Sequence, residues 1–353
     1  MKALQTVIVL ILFLGSPVWA AMRLGVPPPG QLYHGVFPGG HSGTEDDLTP
    51  EDLKSYEDTV GMKAVWVYFS NNWYQSRAFP QKTAEWVRAA GAVPFIRLML
   101  RSDPEQNHAE PVFKLKALSE GKFDSDLEAW ARGAKAFGSP LIVEWGTEVN
   151  GKWFSWNGFW NGGEGKGPKL FIAVFRRIVG LMQAQGAENI SWVFHLNADD
   201  DPSEAWNRFE NYYPGDDVVD WVGISAYGAQ TPMDPWDATP FRESIDSCYP
   251  RTQKMAPAKP AVILEFGCTK GHPSVDPASW ARDALSDLLS LRWPKIIGFS
   301  WWNEAWQNDE DRKHDTTMRV QDIPALAEVF RKELGASKDR ILDRPLARTF
   351  PKP

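Results

Sequence analysis

The chain is 353 residues long and carries 45 acidic against 38 basic side chains, a net charge of −7. With no clustered run of Lys and Arg, that balance argues against nucleic acid or an anionic membrane surface as a partner. Eighteen Trp against 8 Tyr is an unusual ratio, and many of the Trp follow strand-like runs, a placement that suits a groove of stacking platforms for a neutral ligand.

Residues 1–20 read as a signal peptide: one Lys, an apolar run over residues 3–15 too short to span a bilayer comfortably, then a small-x-small site at Val18-Trp19-Ala20. The expectation is a secreted or periplasmic protein, monomeric and with no membrane attachment after cleavage. Residues 32–40 are the first strand candidate and end in Gly39-Gly40. Thr49 is placed to cap a helix that has Pro50 at its first position. Residues 62–69 alternate as a second strand, with Asn71, Asn72 and Trp73 at its end. A helix over 81–90 closes at Gly91, and residues 93–100 supply a third strand with Arg97 embedded among apolar neighbours. Such an arginine needs a buried acidic or sugar partner.

Leu127, Trp130, Ala134 and Phe137 recur at helical spacing before a fourth strand, 140–143. A glycine-rich loop over 158–167 and an apolar helix over 168–185 follow. Strands five to eight are predicted over 190–196, 218–224, 259–267 and 296–301, and a last helix over 323–334. Eight strands, most separated by an amphipathic helix, fit the α/β class and its repeated unit, the (β/α)8 TIM barrel. A doubly wound sheet is the alternative, but no glycine-rich phosphate loop follows the first strand. Cys248 and Cys268 leave two readings open, one disulfide or two separate buried thiols.

Active sites of such barrels lie where strands end. The stretch Glu144-Trp145-Gly146-Thr147-Glu148-Val149-Asn150-Gly151-Lys152-Trp153-Phe154-Ser155-Trp156 follows the fourth strand at that mouth. A carboxylate, an amide and two Trp suit a sugar, whose ring faces stack on indole while its hydroxyls need donors and acceptors. Glu148 and Glu265 both come directly off apolar strands and converge at one mouth, as glycoside cleavage requires of its two carboxyl groups. Glu144 is expected to pair with a basic residue such as Arg97, and Glu304 to sit in a loop. His195 and Trp73 are further candidate substrate contacts. No metal-ligand spacing stands out; Asp199-Asp200-Asp201 reads as a solvated loop, and no cofactor is expected.

Glu148-Val149-Asn150-Gly151-Lys152-Trp153, the run from Tyr213 to Ile224 with Tyr227, and Leu264-Glu265-Phe266-Gly267 resemble a glycoside hydrolase of clan A, family 26, the β-mannanases and relatives. The resemblance implies Glu148 as acid/base, Glu265 as nucleophile, Tyr227 as a hydroxyl bonded to the nucleophile, and Trp153 and Trp301 as walls of the subsite around the scissile sugar. It implies a retaining endo-β-1,4-mannanase acting on polysaccharide or oligosaccharide, with a β-glucanase, a xylanase or a non-catalytic sugar-binding barrel as alternatives. The family usually has His just before the acid/base and Arg four residues before it, where this chain has Thr147 and Glu144. The expected organisation is a signal peptide over 1–20, a catalytic domain over 21–335 and an extended tail over 336–353.

Overall fold

The computed structural model describes residues 22–40 and 43–349; the predicted signal peptide lies outside the described residues. Eight parallel strands form the centre: β1 Leu32–Phe37, β2 Trp66–Asn72, β3 Val93–Met99, β4 Leu141–Trp145, β5 Ile190–Asn197, β6 Trp221–Ser225, β7 Ala261–Phe266 and β8 Ile296–Trp302. Each pairs with the next, and β8 pairs back onto β1, Tyr33 opposite Gly298 through Phe37 opposite Trp302. The closed sheet is the (β/α)8 TIM barrel that the sequence predicts.

Helices cover the outside of the barrel: α1 Pro50–Val60, α2 Gln81–Ala89, α3 Asp124–Phe137, α4 Gly163–Ala184, α5 Phe241–Met255, α6 Pro277–Leu289 and α7 Pro324–Ala336. Because they cover one strand face while the barrel interior covers the other, the strands are buried on both sides, which is why they read as nearly unbroken apolar runs. The start of α1 follows its sequence signature: Thr49 Oγ1 accepts from the Asp52 amide at 3.3 Å and the Asp52 carboxylate accepts from the Thr49 amide at 2.8 Å. Trp66 fills the interior between Tyr33, Phe95 and Trp221. A Cβ on Gly35 would stand 2.1 Å from the Trp66 Nε1, so this close approach requires glycine.

Four features fill in or change the expected outline. No α-helix joins β5 to β6; two 3₁₀ turns, Ala205–Asn207 and Phe209–Tyr212, do so. The helix after the fourth strand begins at Gly163, inside the expected glycine-rich loop, and takes Pro168 into its second turn. Downstream of α7, Ile341–Leu342 runs parallel to Leu32 and Tyr33, and Ala347–Thr349 runs antiparallel to Met22–Leu24, so the tail is tied to the start of the described chain. Cys248 and Cys268 are both buried free thiols.

Candidate active site

Glu148 stands in the tight turn that follows β4. Its φ of 47° is left-handed, uncommon for a non-glycine residue, and the turn holds it there from both sides. The Val149 amide donates to the His195 carbonyl at 3.2 Å. The Asn150 side chain reaches the Asn197 carbonyl at 2.9 Å and the Asp199 carbonyl at 3.0 Å, and accepts from the Asn197 amide at 2.8 Å. Glu148 itself is 7% exposed and accepts from Asn197 Nδ2 at 2.9 Å and from Trp153 Nε1 at 2.7 Å. A Cβ on Gly151 would fall 2.2 Å from the Trp153 ring, so glycine there lets the indole fold back onto Glu148.

Glu265, the fifth residue of β7, faces the same space from across the barrel. Tyr227 donates to its Oε2 at 2.9 Å, Tyr68 lies 3.3 Å from its Oε1, and Arg97 Nη2 stands 3.7 Å from that oxygen. Burial pushes the Glu265 carboxyl up to about 7; the Arg97 charge opposes the rise and the Glu148 charge adds to it. Beneath lies a second buried carboxylate, Glu144, which accepts from Tyr68 at 2.5 Å and from Thr147 at 2.6 Å. Arg97 links the groups, with Nη1 2.6 Å from Glu45 Oε2 and Nε 3.5 Å from Glu144 Oε1.

Glu144 also meets His195, Nδ1 to Oε2 at 2.7 Å, while the other ring nitrogen lies 2.7 Å from Ser225 Oγ. The ring N–H is poorly aligned on that oxygen, so Coulomb attraction is the larger part of the contact. Burial is the largest single influence and would raise Glu144 and lower His195, but their mutual attraction, with Arg97 and Thr147 acting on Glu144 and with Glu265 and Glu148 acting on His195, together outweighs it and leaves Glu144 below and His195 above its ordinary range. The expected pairing of Glu144 with Arg97 is present, and His195 adds to it.

Glu148, Glu265, Trp153 and Tyr227 line one cavity of about 390 Å³, together with Glu45, Arg97, Arg101, Asn197, Trp302 and Glu304. Other residues expected to contact substrate lie behind it. Trp301 is fully buried, donates from Nε1 to the Met318 carbonyl at 2.8 Å and packs on Phe330 of α7. The correction follows from strand alternation: when Trp301 points out to the helices, Trp302 points to the mouth, stacked on Phe37 at 4.2 Å. Trp156 is stacked on Phe154 and bonded to the Thr147 carbonyl at 2.8 Å, which braces the Glu148 turn. Trp73 packs edge-on against Phe113, and His195 and Asn150 are fully buried with their polar atoms turned to protein partners. Glu45, Tyr68, Arg101 and Trp302 are site residues that sequence reasoning did not single out, whereas Asn197 was expected near the mouth after the fifth strand. Tyr68 and Trp302 were reachable through the two-residue period of their strands, since each shares a face with a residue that points into the barrel.

The model of Glycosyl hydrolase family 26 matches residues 45–245, and the chain belongs to that family. That family is one of clan A of the glycoside hydrolases. Endoglucanase H of Acetivibrio thermocellus is 25% identical over 310 residues, 87% of this chain and 31% of that protein. A mannan endo-1,4-beta-mannosidase of Bacillus subtilis is 25% identical over 171 residues, 48% of this chain and 40% of that protein. The chain thus spans less than half the length of these curated relatives. Among solved structures, Bacillus subtilis mannanase BCman has a TM-score of 0.60 at 18% identity, covering 90% of this chain and 88% of its own. GH26C from Muricauda sp. MAR_2010_75 has 0.63 at 17%, covering 89% and 87%. At those identities the structural likeness is one of fold.

Proposed function

We propose that the protein is an exported endo-β-glycanase that cleaves with retention, with Glu148 as acid/base, Glu265 as nucleophile and β-1,4-mannan as substrate. The observation that carries the reading is the unlike surroundings of two carboxyls in one cavity. Glu265 has a guanidinium and two phenols aimed at it, and the guanidinium charge opposes the upward push of burial and so favours the anion a nucleophile must be. Glu148 has only an amide and an indole as its donors, with no cation within ion-pair distance among the described residues, which suits a group that acts as acid and then as base. Trp153 and Trp302 supply apolar faces for a sugar ring between them.

Mannan leads because mannan endo-1,4-beta-mannosidases recur among the relatives. A β-glucan is the second reading, favoured by the endoglucanase match over 87% of this chain. The test is hydrolysis of mannan, glucomannan, mixed-linkage β-glucan and xylan, with the anomer of the first product followed by proton NMR. Release of β-anomeric products from mannan is expected. Release from β-glucan or xylan alone transfers the substrate to the second reading, and α-anomeric first products would refute retention.

A further inference from the structure

Large apolar side chains that remain exposed carry a cost in water, so where they gather is informative. Among the described residues they are Met22, Val26, Val112, Phe159, Met233 and Trp236. The last four all stand on loops at the strand ends that form the cavity mouth, after β3, β4 and β6. The β6 loop is the richest. It runs from Tyr227, bonded to Glu265, through Gln230 and Thr231 on the cavity wall, to Met233 at 59% exposure and Trp236 at 90%.

The backbone of that loop is held firmly while the indole is left free. The Asp237 carboxylate accepts from the Thr231 amide at 3.1 Å and also from the Gln230 amide, which folds the 234–237 turn against the cavity-wall residues. The Trp236 amide donates to Asp234 Oδ1 at 3.0 Å. Neighbouring loops fasten the rest: His272 Nε2 lies 2.7 Å from the Asp234 carbonyl, and Thr316 Oγ1 donates to the Gln230 carbonyl at 2.6 Å. Trp236 is therefore presented on a supported turn one layer outward from the wall of the reaction cavity. An indole carried on a fixed backbone and open to water suits one ligand chemistry above others, the apolar face of a pyranose ring.

We infer that Trp236, flanked by Met233, is a distal sugar-stacking platform that takes a residue of a long β-linked glycan chain after it leaves the cavity along the β6 loop. The inference rests on the polysaccharide reading above. It assigns the platform to binding of long chains and not to bond cleavage, because Trp236 is outside the cavity that holds Glu148 and Glu265.

Trp236→Ala and Trp236→Phe are to be compared with the native chain on long glycan, on a short oligosaccharide that fills only the cavity, and by retardation in gels cast with the soluble polysaccharide. Loss of one stacked ring should lower kcat/KM on the long glycan about fivefold to tenfold for Trp236→Ala, almost wholly through KM, with short-oligosaccharide turnover within about twofold. Retardation should weaken in parallel, and Trp236→Phe should keep most of both. Unchanged KM and retardation on the polymer would overturn the platform, as would an equal loss on both substrates, which would mean that the loop serves the cavity itself. A concentration-dependent dimer abolished by Trp236→Ala would instead assign the indole to a second copy of the chain. If no β-glycan is cleaved, the polysaccharide reading fails separately, and gel retardation still decides the platform.

Discussion

Two carboxyl groups face one cavity from opposite sides of the barrel, and they are held in different ways. Glu265 sits within β7, and its neighbours come from other strands or their ends: Tyr68 on β2, Arg97 on β3 and Tyr227 just beyond β6, with Glu144 and His195 one layer below. Glu148 sits in a turn, at a left-handed φ of 47°, and is gripped by its local partner Trp153 and by Asn197 from the neighbouring strand end. A nucleophile must keep its position and its charge, so strands and a guanidinium suit it. An acid/base exchanges a proton with the substrate, so neutral donors on a turn suit it.

The largest effects should come from removing each carboxyl in turn. Glu265→Ala should lose cleavage of every glycoside, because no glycosyl-enzyme forms. Glu148→Ala should lose about 10²- to 10⁴-fold on polysaccharide while still releasing an activated aryl leaving group, and azide should then yield the β-glycosyl azide. Azide giving the α-glycosyl product from Glu148→Ala, or strong residual cleavage by Glu265→Ala, would reverse or remove the assignment.

A smaller effect sharpens the electrostatic half of the contrast. The Arg97 charge holds Glu265 down against burial, so Arg97→Met should drive that carboxyl above its value of about 7. Fewer molecules then carry the ionised nucleophile at neutral pH. The acid limb of kcat/KM should move to higher pH, and activity at pH 7 should fall by up to about tenfold for each pH unit that the limb moves. Arg97→Lys should restore part of it. An acid limb that stays in place in a folded Arg97→Met protein would mean that Glu265 is not the group titrating there.

The barrel was legible because eight buried strands and their helices impose a repeating pattern, and Glu148 and Glu265 were legible because each ends such a run. What failed to read was the direction of neighbouring side chains. Trp301 and Trp302 are both Trp at a strand end, and only the register of β8 against β1 decides which faces the cavity. Asn150 and Trp156 belong to the same motif as Glu148 but support its turn from behind. Tyr68 escaped notice because a tyrosine inside an apolar strand looks like packing until its hydroxyl is found against two carboxylates.

Glu304 marks the far end of the same comparison and gives the smallest expected effect, one on stability. It is 3% exposed and lines the cavity, and its Oε1 accepts the Ala305 amide at 3.0 Å. Burial pushes it up to about 7, as for Glu265; the Ala305 and Gly40 amides oppose the rise, and the Arg319 charge does so only from beyond ion-pair distance, whereas Arg97 stands 3.7 Å from Glu265. The folded chain therefore holds on to a proton that the unfolded chain has already released near pH 4.5. A raised folded-state value means that its contribution to stability is full below pH 4.5 and is lost as pH rises to about 7. Glu304→Gln keeps the shape and removes the charge. The difference in unfolding free energy between the variant and the native chain, from urea titrations, should be near zero at pH 4.5 and favour the variant by about 2–3 kcal/mol at pH 8, as an upper bound. A difference that does not change with pH would mean that Glu304 stays ionised in the fold and that the distinction drawn between a carboxyl beside a cation and one without is wrong at this position.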